Sequence, residues 1–69
     1  PTLVVTGVST DCCVISTALP AADDGATVVV AADACAGSTQ DNHEAALQVM
    51  ALYSPQIEVA TSAAVLSSR

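Results

Sequence analysis

The sequence lacks positive charge almost entirely: it has no lysine, and Arg69 is its one arginine. Seven acidic residues leave a formal net charge of −6 at pH 7. Because nucleic-acid phosphates and anionic membrane surfaces are bound through clustered Lys and Arg, this balance argues against both kinds of partner. The longest apolar run, Val28–Ala32, is far shorter than the ~20 residues that a membrane-spanning helix needs.

Aromatic side chains are equally scarce. The sequence has no Phe and no Trp, and Tyr53 is its one aromatic residue, so Ala and Val supply most of the 52% hydrophobic content. A chain of 69 residues forms at most one small domain, which buries only roughly 60% of its unfolded surface. Since small side chains bury little area each, we expect the thin core to be one part of something larger.

The three cysteines, Cys12, Cys13 and Cys35, are an odd number, and two of them are adjacent. Neighbouring cysteines rarely bridge, because the ring that they close is strained. We therefore expect no disulfide scaffold, and a reducing cytoplasm is the compartment that fits this pattern. A Cys12–Cys13 redox pair is an alternative use of the two adjacent thiols.

Short apolar runs alternate with helix-like segments in the order β-α-β-α-β-α. Periodicity and end signals predict three strands and three helices, at Leu3–Val8, Cys12 to about Asp24, Thr27–Ala32, Gln40–Leu52, Gln56–Ala60 and Thr61–Leu66. This alternation predicts parallel strands joined by right-handed crossovers. The fold class is therefore α/β, a three-layer Rossmann-like parallel sheet, and three strands amount to half of such a doubly wound domain.

Local signals refine the predicted helices. Pro20 is expected to kink or shorten the first helix, because it removes a backbone hydrogen bond, and Gly25 suits the position just after its end. Asp33–Thr39 is predicted to be a loop, with Ser38 and Thr39 capping the second helix. The apolar stripe of that helix is expected to comprise Ala45, Ala46, Leu47, Val49, Met50 and Tyr53.

The turn that ends at Cys13 follows the first strand, at the edge of a parallel sheet where ligands usually bind. Ser9, Thr10 and Asp11 are candidate helix caps, which puts Cys13 in the first helical turn. Unpaired N–H groups and the helix dipole favour a thiolate there, and the same N–H groups suit an oxyanion. Cys13 is therefore a candidate nucleophile. The alternative is that both adjacent cysteines are small buried hydrophobes.

The motif TGVSTDCCV, followed by a Thr-Ala-containing helix, a strand and DACA, resembles the isochorismatase-like cysteine hydrolases. That family includes nicotinamidases and N-carbamoylsarcosine amidases. The likeness starts at Thr2 and continues beyond Gly37 through His43–Leu47, Met50, Ile57–Val59 and Val65–Leu66. It covers essentially the whole chain but only the C-terminal part of a typical family member. The resemblance thus implies that residues 1–69 are the C-terminal part of a single isochorismatase-like hydrolase domain.

Residue roles follow from this resemblance. It implies that Cys13 is the catalytic nucleophile, which attacks an amide or related bond of a small molecule and forms a thioester-type intermediate. It also implies a cis peptide between Val8 and Ser9, with the N–H groups of Ser9 and Cys13 as the oxyanion hole. Cys12 is expected at the pocket wall. Asp11 is interpreted as a structural cap of the turn.

The family's two other catalytic residues, an Asp and a Lys, precede the position of Pro1 in this resemblance. Because the sequence has no Lys and a thiol without a base stays mostly protonated at neutral pH, we expect the chain alone to be almost inert. The expected partners are a small-molecule substrate, the missing N-terminal part and a second copy in a homo-oligomer. No cofactor and no metal are expected in this part. The alternative is a truncated or degenerate, non-catalytic interaction module.

Three further residues are weaker candidates. His43 lies in a run of polar helix residues and is interpreted as solvated or capping; a metal site there is disfavoured, because consecutive helix residues point in different directions. Cys35 is expected to be a packed small side chain. Asp33 is expected either to bond turn amides near Cys13 or to cap a loop. No G-x-G-x-x-G motif is present, so a dinucleotide site has no support.

Overall fold

A computed structural model describes residues 1–67 of the chain. Its elements are β1 (Thr2–Val8), a π-helical turn (Thr10–Val14), α1 (Ile15–Asp23), β2 (Thr27–Ala36), α2 (Gln40–Ala51), β3 (Ile57–Ala60) and α3 (Ser62–Ser67). The predicted β-α-β-α-β-α order is confirmed. Within the described residues, no helix has the length and apolar character required to cross a membrane.

The three strands form one parallel sheet in the order β1-β2-β3. Val28 pairs with Leu3 on one side and with Ile57 on the other, and Val29 pairs with Val4 and Glu58. Because side chains alternate along a strand, this register places Val28 and Ile57 on one face of the sheet. The sheet is the Rossmann-like α/β arrangement that the sequence predicts.

The hydrophobic core lies between the sheet and the helices α1 and α2. Its buried members are Val14, Ala18, Ala22, Ala26, Val28, Val30, Ala46, Met50 and Ile57. The third helix lies against the opposite face, where Ala64 and Val65 line an apolar groove of about 360 Å³ with Val4 and Val29. Helices on both faces make three layers, and the thin cover on the α3 side leaves Val4 53% exposed.

Pro20 does not end the first helix, contrary to the expectation of a shortened helix. α1 runs through Pro20 to Asp23, and the carbonyl of Pro20 accepts the N–H of Asp24 at 3.0 Å. The N–H groups of Gly25 and Ala26 then close the helix on the carbonyls of Ala22 and Ala21. Gly25 supplies the positive φ of 98° that this C-terminal motif requires.

β2 is longer than predicted. Asp33 to Ala36 continue the strand instead of starting a loop, because Cys35 pairs with Gly7 beyond a bulge. Between the paired positions Val5–Val30 and Gly7–Cys35, one residue of β1 stands opposite four of β2. The extra residues displace the ladder locally and put Asp33 in the bulge.

α2 begins and ends close to the predicted bounds. The Thr39 hydroxyl accepts the N–H of Asn42 at 3.0 Å and caps the helix. Its buried stripe is narrower than predicted: Ala46 and Met50 are buried and Leu47 is half-buried, whereas three expected members, Ala45, Val49 and Tyr53, are exposed.

Candidate functional site

The turn after β1 is compact and π-helical. The peptide bond between Val8 and Ser9 is cis. The carbonyl of Ser9 then accepts the N–H groups of Cys12 at 3.1 Å and of Val14 at 3.0 Å. Cys13 lies between these two donors in the first turn, and its side chain is exposed. The helical segment therefore starts earlier than the predicted Cys12, and Ser9, whose side chain makes no cap bond, precedes it.

The three thiols differ in their surroundings. Cys12 and Cys13 are exposed, so they are not members of the core. The thiol of Cys12 lies 3.9 Å from a carboxylate oxygen of Asp11, a weak contact. Cys35 is half-buried and packs against the core, as expected. Burial raises the pKa of the Cys35 thiol, partly offset by a hydrogen bond from the Gly7 backbone.

Asp11 ties the π turn to the loop before α2. Its carboxylate accepts the Ser38 hydroxyl at 2.6 Å and the Ser38 N–H at 2.8 Å. These two bonds hold the pKa of Asp11 below its ordinary value of 3.8, and the bond from the hydroxyl has the larger effect. Asp11 is therefore structural, but it links two segments 27 residues apart instead of capping its own turn. Ser38 correspondingly serves this link, while Thr39 alone caps α2.

His43 is not the solvated residue that its polar neighbours suggest. It is half-buried, and its Nδ1 lies 2.7 Å from the hydroxyl oxygen of Thr10, in a hydrogen bond. Thr10 is fully buried in the π turn. One signal could have found this contact: His43 precedes Ala46 and Met50 on the buried stripe of α2 at helical spacing.

Asp33 makes the same kind of bond as Asp11, one strand further along the sheet. Its carboxylate accepts both the N–H and the hydroxyl of Ser62, each at 2.7 Å. These bonds lower the pKa of Asp33 from its ordinary value of 3.8. Asp33 therefore contacts the first residue of α3 and not the turn amides near Cys13. Of its two expected roles, bonding the turn amides and capping a loop, the observed bonds are closer to the second, although Asp33 lies within β2.

Cys13 is exposed in the turn that follows β1. The apolar groove beneath α3 is lined by the other face of the sheet and does not include Cys13. Among residues 1–67, no three His, Cys, Asp or Glu side chains are grouped so as to hold a metal ion. An exposed thiol in a helical first turn, next to backbone N–H groups, can act as a nucleophile on a carbonyl group.

The chain thus combines a parallel α/β sheet with an exposed thiol in the turn after its first strand. Residues 1–64 match the isochorismatase domain, so the chain belongs to the isochorismatase family. It is similar to the crystal structure of an isochorismatase-like hydrolase from Alkaliphilus metalliredigens, with a TM-score of 0.89 and 31% identity. The match covers 97% of this chain and 36% of that one. The comparison with curated proteins finds no match.

Proposed function

We propose that these residues form the nucleophile-bearing, C-terminal part of a cysteine hydrolase domain that cleaves an amide or related bond of a small molecule. The observation that carries the proposal is the place of Cys13: an exposed thiol in the π turn at the carboxyl end of β1. Ligands of open parallel sheets bind at this edge. Membership of the isochorismatase family supports the same role.

The reaction has two halves. The Cys13 sulfur attacks the substrate carbonyl carbon, the bond from carbon to the leaving nitrogen breaks, and the thiol proton goes to the departing amine. Water then attacks the thioester, which releases the carboxylic acid and restores the thiol. The N–H groups of Ser9 and Cys13 stabilise the oxyanion of each tetrahedral intermediate. Cys12, exposed beside Cys13, forms part of the pocket wall.

Proton transfer needs groups beyond these residues. The sequence has no Lys, and the Asp and Lys that the family resemblance implies belong to an N-terminal part of the domain. The chain spans about a third of the length of the Alkaliphilus relative, at 36% of that chain. We therefore propose that a partner segment completes the site and covers the exposed apolar positions of the sheet, such as Val4 and Val8.

The test uses the completed domain, meaning these 69 residues joined to an N-terminal part that supplies the Asp and the Lys. We expect it to release amine or ammonia from members of a panel of small amides and to lose this activity with iodoacetamide. Cys13→Ala should lower kcat/KM by about a thousandfold or more, as removal of a nucleophile does. Cys35→Ala is the matched control, because the half-buried Cys35 packs against the core whereas Cys13 is exposed, and it should retain activity. Full activity of Cys13→Ala would refute the proposal.

A non-catalytic interaction module is the second candidate, favoured by the absence of Lys from the sequence. It predicts that the completed domain hydrolyses none of the amides while it still assembles with itself or with another chain. Sedimentation of the completed domain, with and without Leu52→Glu, tests the homo-oligomer that we propose for either function. Leu52, the residue that follows α2, is 82% exposed, so its substitution leaves the core intact.

A further inference from the structure

The π turn is bonded to the loop before α2 and to the first turn of that helix. Two adjacent residues of the π turn make the connection: Thr10 bonds His43, and Asp11 bonds Ser38. The amide of Asn42 also donates to the Ser38 hydroxyl at 3.0 Å. The two connections differ in exposure, since Thr10 is fully buried, whereas both Asp11 bonds are exposed.

Gly37, next to Ser38, packs against His43 and so brings the two connections together. A Cβ built on Gly37 would lie 2.8 Å from the Cβ of His43 and 2.9 Å from its backbone N and Cα. The backbone of His43 is therefore packed directly on the residue before Ser38. Any side chain at position 37 would therefore displace His43, whose ring bonds Thr10 of the π turn.

We infer that His43 is a positioning residue for Cys13, acting through the buried hydroxyl of Thr10. The inference rests on the proposed role of Cys13. Thr10 opens the π turn, and Cys13 stands one residue before its end, so a displacement of Thr10 displaces the thiol and the backbone donors beside it. Because small misplacements of reacting groups cost large factors in rate, loss of the Thr10–His43 bond is expected to slow the reactions of Cys13.

Four variants of the completed domain separate this role from a general contribution to stability. His43→Leu and Thr10→Val each remove one partner of the bond, and the double variant removes both without leaving a buried polar group unpaired. His43→Asn places a hydrogen-bonding atom near the position of Nδ1. Asp33→Ala is the matched control, because it breaks hydrogen bonds of the same kind, to Ser62 of α3 instead of to the π turn.

The primary readout is the rate at which iodoacetamide alkylates Cys13, measured by peptide mass mapping. We expect His43→Leu, Thr10→Val and the double variant to slow this reaction by about two- to fivefold, the range by which a helix N-terminus affects a negative charge placed near it. His43→Asn should restore the rate to within about twofold of the parent. In an active completed domain, the same variants should lower kcat more than they raise KM.

Two results would overturn the inference. One is alkylation of Cys13 in the folded double variant at the rate found for Asp33→Ala. The other is a His43→Asn variant that reacts no faster than His43→Leu. The double variant keeps the test decisive if a single variant fails to fold. Because alkylation does not require turnover, its result stands apart from the proposed function: a slowed thiol in a domain without hydrolase activity would retain the positioning role and reject the hydrolase.

Discussion

Near the carboxyl ends of β1 and β2, which we call the two strand ends, two aspartates make the same kind of hydrogen bonds in different surroundings. After β1, Asp11 accepts the N–H and hydroxyl of Ser38; within the bulge of β2, Asp33 accepts the N–H and hydroxyl of Ser62. Each carboxylate thus fastens one strand end to the start of the next crossover. The end of β1 has two features besides: the exposed thiol of Cys13 and a second bond from its turn to His43.

This difference separates architecture from the proposed site. The Asp–Ser bonds occur at both strand ends, so we interpret them as part of the general architecture, in which each joins a strand to the start of a later helical segment. The bond between Thr10 and His43 occurs at the end that carries the thiol, and its threonine is fully buried. A buried polar pair is expensive to break on one side, because the remaining partner is left without a bond. The end of β1 is therefore the more firmly fixed of the two.

The largest effect should come from closing the space at Gly37. In Gly37→Ala, the new methyl group would meet His43 at 2.8–2.9 Å, including two backbone atoms. We expect the free energy of unfolding to fall by about 1–3 kcal/mol, as for overpacked sites, and the alkylation of Cys13 to slow. Urea denaturation and peptide mapping measure the two effects.

Gly25→Ala is the matched control for that prediction. No atom lies within 4 Å of a Cβ at Gly25, but its φ of 98° strains any other residue, at a cost of about 1–2 kcal/mol. It should destabilise the chain comparably and leave the reactivity of Cys13 unchanged. If both variants slow the alkylation of Cys13 equally, its reactivity depends on overall stability alone, and the contact between Gly37 and His43 has no specific effect on the thiol.

A smaller effect is expected at the two carboxylates. The serine bonds lower the pKa values of Asp11 and Asp33 from 3.8, so each carboxylate stabilises the fold above pH 3.8. This contribution is lost as the pH falls through the lowered pKa values. Asp11→Asn and Asp33→Asn should therefore each lower stability at pH 7, with a deficit against the parent that shrinks below about pH 4. Thermal unfolding at a series of pH values measures it.

The two substitutions should differ in one respect. Asp11→Asn, next to Thr10, should also alter the alkylation rate of Cys13, whereas Asp33→Asn should not. A deficit that stays constant down to the acid limit would show that the charge of the carboxylates contributes nothing. An equal change of the Cys13 rate in both variants would remove the distinction between the two strand ends.

Much of this fold could be predicted from local patterns. Short local signals mark the Val-rich strands, the Gly25 turn and the Thr39 cap. The π turn follows β1, where the sequence predicted a turn. The family was identifiable because the residues from Thr6 to Val14 form a specific motif. These features need no knowledge of distant partners.

The contacts between distant segments could not be predicted in the same way. His43 bonds a residue 33 positions away, and Asp33 bonds one 29 positions away. The register shift between β1 and β2, which extends β2 to Ala36, also has no local signal in a run of small residues. Helical spacing placed His43 on the buried stripe, but its polar neighbours favoured the opposite interpretation.

The most direct test of the account follows the loss of activity during partial alkylation of the completed domain. Iodoacetamide is added in limiting amounts, and the modified fraction of each cysteine is mapped while hydrolysis is measured. Activity should fall in proportion to the modification of Cys13, with Cys35 reacting much later because burial raises the pKa of its thiol. Activity that survives complete modification of Cys13, or that falls while Cys12 and Cys13 are both unmodified, would contradict its assignment as the nucleophile.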